Sequence, residues 1–237
     1  MASARRRIVI VDSSDHRRAG GWFVGCLAGF SQLEVKRREE IDPRELGWRG
    51  VILSGSEHSI FEDNDWLGKQ LAFVRNLLAE GVPLLGVCFG HQLIFRALYG
   101  KDALTRRAVP EVGWHPVKLA AHAVFEGAGE TIRPYNYHFE EVAEVAGEWE
   151  VLASSETCPV QAARHRELPA FGLQFHPEIA PEEGASGISR DRGYLAVFGL
   201  DADAIVADAK RGRRHYPEII RNFVVYYASE PARNGLT

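Results

Sequence analysis

Apolar residues in the first half of the chain fall in short unbroken runs separated by longer amphipathic stretches. "RIVIVD", ending at Asp12, is followed by "LEVKR" (33–37) and "GVILSG" (50–55). Consecutive rather than alternating apolar positions over four or five residues are the pattern of strands buried on both faces. Between Asp63 and Gly81 the period changes: Leu67, Leu71, Val74 and Leu78 share one helical face, Asp63 or Asn64 can cap its start, and Gly81 can end it. "VPLLGV" (82–87) predicts a further central strand, and "HQLIFRALYG" (91–100) a helix closed by Gly100. Strand and helix alternate, which predicts a parallel sheet covered by helices on both sides.

From Ala103 to His176 the runs shorten. "VKLAA", "WEVLASS", "PVQAARH" and "AFGLQF" read as strands, several joined too tightly for helical crossovers, so antiparallel pairing is expected there. The fold class is therefore α/β: a doubly wound, mostly parallel sheet with flanking helices and some antiparallel strands in the second half. A long segment, 179–215, precedes a final amphipathic helix expected over 216–229, and Asp201 to Ala209 within it fits a short helix. That segment reads as an insertion without a catalytic role, with a lid or docking surface as the alternative.

At 237 residues, with no linker composition and no internal repeat, the chain is expected to form a single domain, 1–237. Twenty-eight basic against 32 acidic residues leave a formal charge of -4, which gives no pull toward nucleic acid or anionic lipid. The basic run "KRGRR" (210–214) lacks the interleaved aromatics of a nucleic-acid surface and reads as a solvated helix end. Three separated cysteines, Cys26, Cys88 and Cys158, suggest neither a disulfide framework nor a zinc knuckle. With no span or signal peptide evident, a soluble cytoplasmic protein is expected, with no membrane partner. The nine histidines show no metal-ligand spacing and no phosphate-binding glycine loop is present, so neither metal nor organic cofactor is expected.

The candidate chemistry centres on "LLGVCFGHQ" (84–92). Gly86-Val87-Cys88-Phe89-Gly90 has a nucleophile between two glycines at a predicted strand-to-helix turn, where the backbone folds close upon itself and small flanks are needed. Free N–H groups and the dipole at the start of the helix favour negative charge, which suits a reactive thiolate. A cysteine nucleophile needs a base, and the base an orienting partner. "GLQFHPE" (172–178) offers His176 and Glu178, two apart and on one side of an extended chain that Pro177 would terminate.

These two motifs, in this order and at about this separation, resemble those of class I, triad-type, glutamine amidotransferases. The resemblance runs from the first strand to Glu178 and implies a flavodoxin-like core with Cys88, His176 and Glu178 as catalytic triad. It further implies an oxyanion hole at "LSGSEHS" (53–59), from the backbone N–H of Ser56 with that of Phe89. The family's usual L-S-G-G-P is changed here: Ser56 replaces a glycine and Glu57 a proline, so a need for positive φ at Ser56 would make the hole harder to assemble. Glutamine recognition maps onto Gln92 and onto "NYHFEEV" (136–142), that is Tyr137, His138, Phe139 and Glu140, with Glu140 as partner for an α-ammonium and Phe139 in place of a glycine. "EVGWHPV" (111–117) occupies a family turn, and Trp114 and His115 are read as packing.

The activity implied is hydrolysis of L-glutamine through a γ-glutamyl thioester, with the ammonia passed to a separate synthase or amidotransferase subunit. The same chemistry serves a stand-alone γ-glutamyl peptidase, and the changes at Ser56 and Phe139 keep that reading open. An inactive regulatory subunit is the third reading, disfavoured because all three triad residue types are present.

Overall fold

The computed structural model describes residues 7–145, 147–209 and 214–228. Strands β1 (Ile8–Asp12), β2 (Leu33–Arg37), β3 (Gly50–Leu53) and β4 (Leu84–Val87) alternate with helices α1 (Ala19–Cys26), α2 (Asp65–Ala79) and α3 (Phe89–Tyr99). The second half adds β5 (Leu104–Trp114), β6 (Val117–Leu119), β7 (Thr131–Ile132), β8 (Tyr135–Val142), β9 (Trp149–Ser154), β10 (Ala162–His165) and β11 (Ala170–Leu173). Helices α4 (Pro181–Arg190), α5 (Arg192–Ala196), α6 (Ala202–Ala209) and α7 (Pro217–Ala228) follow.

Nine strands form one sheet in the order β2-β1-β3-β4-β11-β10-β9-β6-β7. The pairs from β2 through β4 to β11 are parallel, and those from β11 to β7 are antiparallel. This is the division expected from the length of the connections. The pleat separates two cores: Ile8, Ile10, Ile52, Leu85 and Val87 face a cluster with Phe23 of α1 and Phe223 of α7. Val9, Val11, Val51, Leu53 and Leu84 face the other side, against Phe73 and Leu77 of α2 and Phe95 of α3. β2 closes the sheet edge and is accordingly half-exposed rather than buried on both faces.

α2 starts where its cap allows: the Asn64 side chain accepts from Leu67 N–H at 3.0 Å. Its buried face is Leu67, Gln70, Phe73, Val74, Leu77 and Leu78, so Phe73 and Leu77 take the place expected for Leu71, which is half-buried. Gly81, at φ 69°, turns the chain into β4.

β5 was not evident in the sequence. It pairs with β8 as a separate two-stranded antiparallel sheet whose register slips between Arg106 and Glu111. Pro110 lies in that gap and has no N–H for the ladder. The 179–215 segment supplies α4, α5 and α6, the last over nearly the expected residues, and packs Ile188, Leu195 and Ala202 onto Val112, Trp114 and Tyr135 of this small sheet. Of "KRGRR", residues 210–213 lie outside the described residues; Arg214 pairs with Glu218 at 2.7 Å. Among the described residues no helix is long and apolar enough to cross a membrane.

Replacing Asn64 by Ala removes the α2 cap and should lower stability by about 1 kcal/mol, read as a shifted midpoint in urea unfolding at unchanged slope; an unchanged midpoint would show that the cap contributes nothing.

Candidate active site

Three adjacent parallel strands, β3, β4 and β11, end at one edge, and the residues that follow them converge there. Such carboxyl-end crevices are where open α/β sheets bind ligands. Cys88 follows β4 directly. Its backbone sits at φ 52°, ψ -107°, a strained conformation for a residue with a side chain. The turn is held from both ends, because Cys88 N–H donates to Leu173 O at 2.7 Å and Cys88 O accepts from Gln92 N–H at 3.1 Å as the first bond of α3. The helix therefore begins at Phe89, two residues before the expected start. Both flanking glycines are sterically required. A Cβ on Gly86 would strike the Gly90 carbonyl, and one on Gly90 would strike the Leu53 carbonyl of β3.

His176 follows β11 and crosses to the small sheet, its N–H donating to Tyr135 O at 2.8 Å. Its Nδ1–H donates to Glu178 Oε1 at 2.7 Å, leaving Nε2 for the other side. Burial works against the imidazolium, but the Glu178 carboxylate and the Cys88 sulfur outweigh it and hold the pKa up to about 10. The structure thus brings Cys88, His176 and Glu178 into one buried chain of contacts.

The loop after β3 passes beside them. A Cβ on Gly55 would lie 2.9 Å from His176 Cε1 and 3.7 Å from Cys88 Cβ, so this bare stretch of backbone borders both. Ser56 comes next. Among the described non-glycine residues only Arg17 and Cys88 have positive φ, so Ser56 carries no left-handed strain in this structure. Its Oγ donates to Ser13 O at 3.0 Å and accepts from His58 N–H at 3.2 Å. Glu57 accepts from Asp15 N–H at 2.9 Å and pairs with His16 at 2.9 Å. The two departures from the family pattern thus tie this loop to residues 13–16. Phe89, the other expected donor, is the first residue of α3, whose N–H has no intrahelical acceptor.

The expected recognition residues divide. Tyr137 is at the site, its carbonyl 3.8 Å from Cys88 Sγ and its hydroxyl donating to Asp191 Oδ2 at 2.7 Å. Phe139 points along the same face of β8 toward Tyr194 and Phe198, with ring centroids 5.5 and 5.4 Å away. Gln92, His138 and Glu140 have supporting employment. Gln92 Nε2 donates to Glu140 O at 2.6 Å and to Gln174 Oε1 at 3.2 Å, and the His138 Nδ1 edge also meets Glu140 O, at 3.1 Å. The Glu140 carboxylate accepts from Ser59 Oγ and, at 2.8 Å, from Ile60 N–H, with Arg106 at 3.5 Å. Both of its oxygens are committed to the loop after β3, which differs from the free carboxylate expected for an α-ammonium.

His138 Nε2 meets Glu111 Oε2 at 2.8 Å, and Gln161 Nε2 donates to the same oxygen at 2.8 Å, while Thr157 and Ser155 donate to Oε1. Burial pushes the Glu111 carboxyl up, but these bonds, that of His138 foremost, hold it down to about 2. Glu111, His138 and Cys158 place metal-type donor atoms within 4.8 Å of one another, yet both Glu111 oxygens are already occupied by hydrogen bonds. Burial pushes the Cys158 thiol well up, which leaves it a protonated, poor ligand. His91 is packed where Gly172 has no side chain, and burial, followed by His138, lowers its pKa to about 3. It is a neutral packing group.

Sequence reasoning missed Asp191 and Tyr135. Asp191, in "SRDRGY", has no linear link to Cys88. Trp114 packs on Tyr135 at 5.4 Å between ring centroids, as expected of a packing residue.

Comparison with known proteins agrees with this geometry. The family model described as Glutamine amidotransferase class-I matches residues 26–194. A relative from Pyrococcus abyssi, named as a subunit of glutamine-hydrolysing GMP synthase, is 40% identical over 154 residues, covering 65% of this chain and 79% of that protein. The glutamine-hydrolysing GMP synthase of Vibrio parahaemolyticus is 34% identical over 211 residues, 86% of this chain but 39% of the longer protein. Among solved structures, a glutamine amidotransferase from Thermotoga maritima superposes with a TM-score of 0.76 at 17% identity, over 94% of this chain and 98% of that one, a likeness of fold. From its matched residues and its relatives, this chain belongs to the class I glutamine amidotransferase family.

Proposed function

We propose that the chain hydrolyses the side-chain amide of L-glutamine at Cys88 and releases ammonia to a separate synthase, which the relatives named as GMP synthase subunits point to as a GMP synthase. The observation that carries this reading is the strained Cys88 turn with the His176–Glu178 pair delivered to it by the neighbouring strand. The same arrangement supports Cys88, His176 and Glu178 as the catalytic triad.

In this mechanism the Cys88 thiolate attacks the amide carbon. The N–H groups of Ser56 and Phe89 receive the negative charge of the tetrahedral oxyanion. The His176 imidazolium gives its proton to the departing nitrogen, so the C–N bond breaks, ammonia leaves and a γ-glutamyl thioester remains. His176, now neutral, takes a proton from water as that water attacks the thioester. Collapse expels the thiolate and leaves glutamate, with the imidazolium restored. Glu178 holds the ring with Nε2 toward sulfur and balances its charge at both stages. Tyr137 and Phe139 line the substrate side, while Gln92, His138 and Glu140 hold the backbone of β8 in place.

Glutamate release from glutamine should vanish in Cys88→Ala while the far-UV circular dichroism stays that of the native chain. Faster cleavage of a γ-glutamyl dipeptide than of glutamine would instead identify a peptidase. Glu178→Gln is expected to lower kcat on the order of a hundredfold or more, as loss of an orienting carboxylate does. A change below threefold would remove Glu178 from the triad.

The raised pKa of His176 also links the site to stability. A free imidazole titrates near 6.5, so the folded state binds the proton more tightly than the unfolded one. The stabilisation is complete below about pH 6.5 and is lost as pH rises through about 10. The thermal-midpoint advantage of the wild type over His176→Asn should therefore shrink between those limits, and an advantage that grew with pH would contradict the charged pair.

A further inference from the structure

Glutamine carries a zwitterionic head, and an anionic group facing the α-ammonium would select it over an amide that lacks that charge. Glu140, the carboxylate expected there, has both oxygens bound to Ser59 and Ile60. Another carboxylate, on a different element, is hydrogen-bonded to a residue that borders Cys88. Asp191 stands at the joint between α4 and α5, inside the segment that read as a non-catalytic insertion.

A series of contacts links this joint to the site. Tyr137 hydroxyl donates to Asp191 Oδ2 at 2.7 Å, and the same residue's carbonyl lies 3.8 Å from Cys88 Sγ. Tyr135, two residues earlier on the same face of β8, has its ring 5.9 Å from that of His176. α4 crosses directly above it: a Cβ on Gly184 would lie 2.7 Å from the Tyr135 ring, so only glycine admits the approach. One turn later, a Cβ on Gly187 would lie 3.6 Å from the Tyr135 hydroxyl and 3.8 Å from an Arg190 guanidinium nitrogen. A negative and a positive side chain at adjacent positions therefore border the tyrosines that flank the Cys88 sulfur and His176, which is the charge pattern an amino-acid head presents in reverse. Burial raises the pKa of the Tyr137 hydroxyl, and Asp191 raises it further, so the phenol stays a donor.

We propose that Asp191, oriented by the Tyr137 hydroxyl, receives the α-ammonium of glutamine, which makes the α4–α5 joint the specificity-determining wall of the cleft. The inference rests on the reading of Cys88 as the glutamine-hydrolysing nucleophile. One oxygen of Asp191 is used by Tyr137, and the charge of the carboxylate is what discriminates glutamine from glutaramate, the same amide without the α-amino group.

The test compares wild type, Asp191→Asn and Tyr137→Phe with both amides, and measures alkylation of Cys88 by iodoacetamide with and without glutamine. Loss of one charge-assisted hydrogen bond corresponds to an affinity change on the order of ten- to a hundredfold. Asp191→Asn should raise KM for glutamine by about that factor with a much smaller effect on kcat, and erase the preference for glutamine over glutaramate; Tyr137→Phe should do so more weakly. Alkylation without glutamine should match the wild type, and glutamine should no longer protect. Unchanged KM and preference in Asp191→Asn would overturn the proposal, as would an equal loss with both amides, which marks a merely structural role. If the wild type binds glutamine, shown by protection, but releases no glutamate, the hydrolytic reading fails while protection in Asp191→Asn still decides this inference. If glutamine never protects the wild type, both fail.

Discussion

Everything chemical in this protein depends on how closely α3 approaches β3 at the Cys88 turn. Cys88 is forced to φ 52° because β4 must end and α3 begin within one residue, and the turn survives only because Gly86 and Gly90 let backbone meet backbone. Strain of this kind costs on the order of 1–3 kcal/mol. It is offset by the regular bonds on either side, Cys88 N–H to Leu173 O and Gln92 N–H to Cys88 O, and by α3 packing into the core through Leu93, Ile94 and Phe95. The result is a sulfur carried at the sheet edge, at the start of a helix, beside the strand that delivers His176.

The parallel sheet alone does not make the cleft. His176 is fixed by a backbone bond to Tyr135 as well as by Glu178, so the orientation of its ring depends on the separate β5–β8 sheet. That sheet is anchored through polar groups rather than by an extensive ladder. Glu111 gathers His138, Gln161, Ser155 and Thr157, and His138 and Gln92 both hold the Glu140 carbonyl. The Glu140 carboxylate then fixes the loop after β3, whose backbone borders Cys88. A buried hydrogen-bonded network of this sort transmits rigidity from the far side of β5 to the site. It also explains why the side chains of Gln92, His138 and Glu140 are engaged within the protein.

The departures from the family's oxyanion-loop pattern have a local physical account. Ser56 and Glu57 do not adopt the left-handed backbone that glycine would permit; instead their side chains bind Ser13 O, Asp15 N–H and His16. A loop usually kept in place by glycine and proline geometry is kept in place here by hydrogen bonds to the turn after β1.

The alternation of apolar runs and amphipathic stretches determined the doubly wound core, because a strand buried on both faces and a helix with one apolar stripe leave different periods in a sequence. The flanked Cys88 and the His176–Glu178 spacing were likewise legible, since the strand-to-helix turn and the two-residue period of an extended chain are local properties. Only the tertiary structure decided the rest. β5 carries Arg106, Arg107 and Pro110 and shows no strand period, so its pairing with β8 depends on a partner about thirty residues away. Whether Glu140 is free or bound depends on Ser59 and Ile60, some eighty residues distant, and Asp191 meets Tyr137 across a gap of 54. Sequence records what each residue can do, whereas contacts between remote segments, set by the packing of two sheets and the helices on them, decide which of those capacities is used.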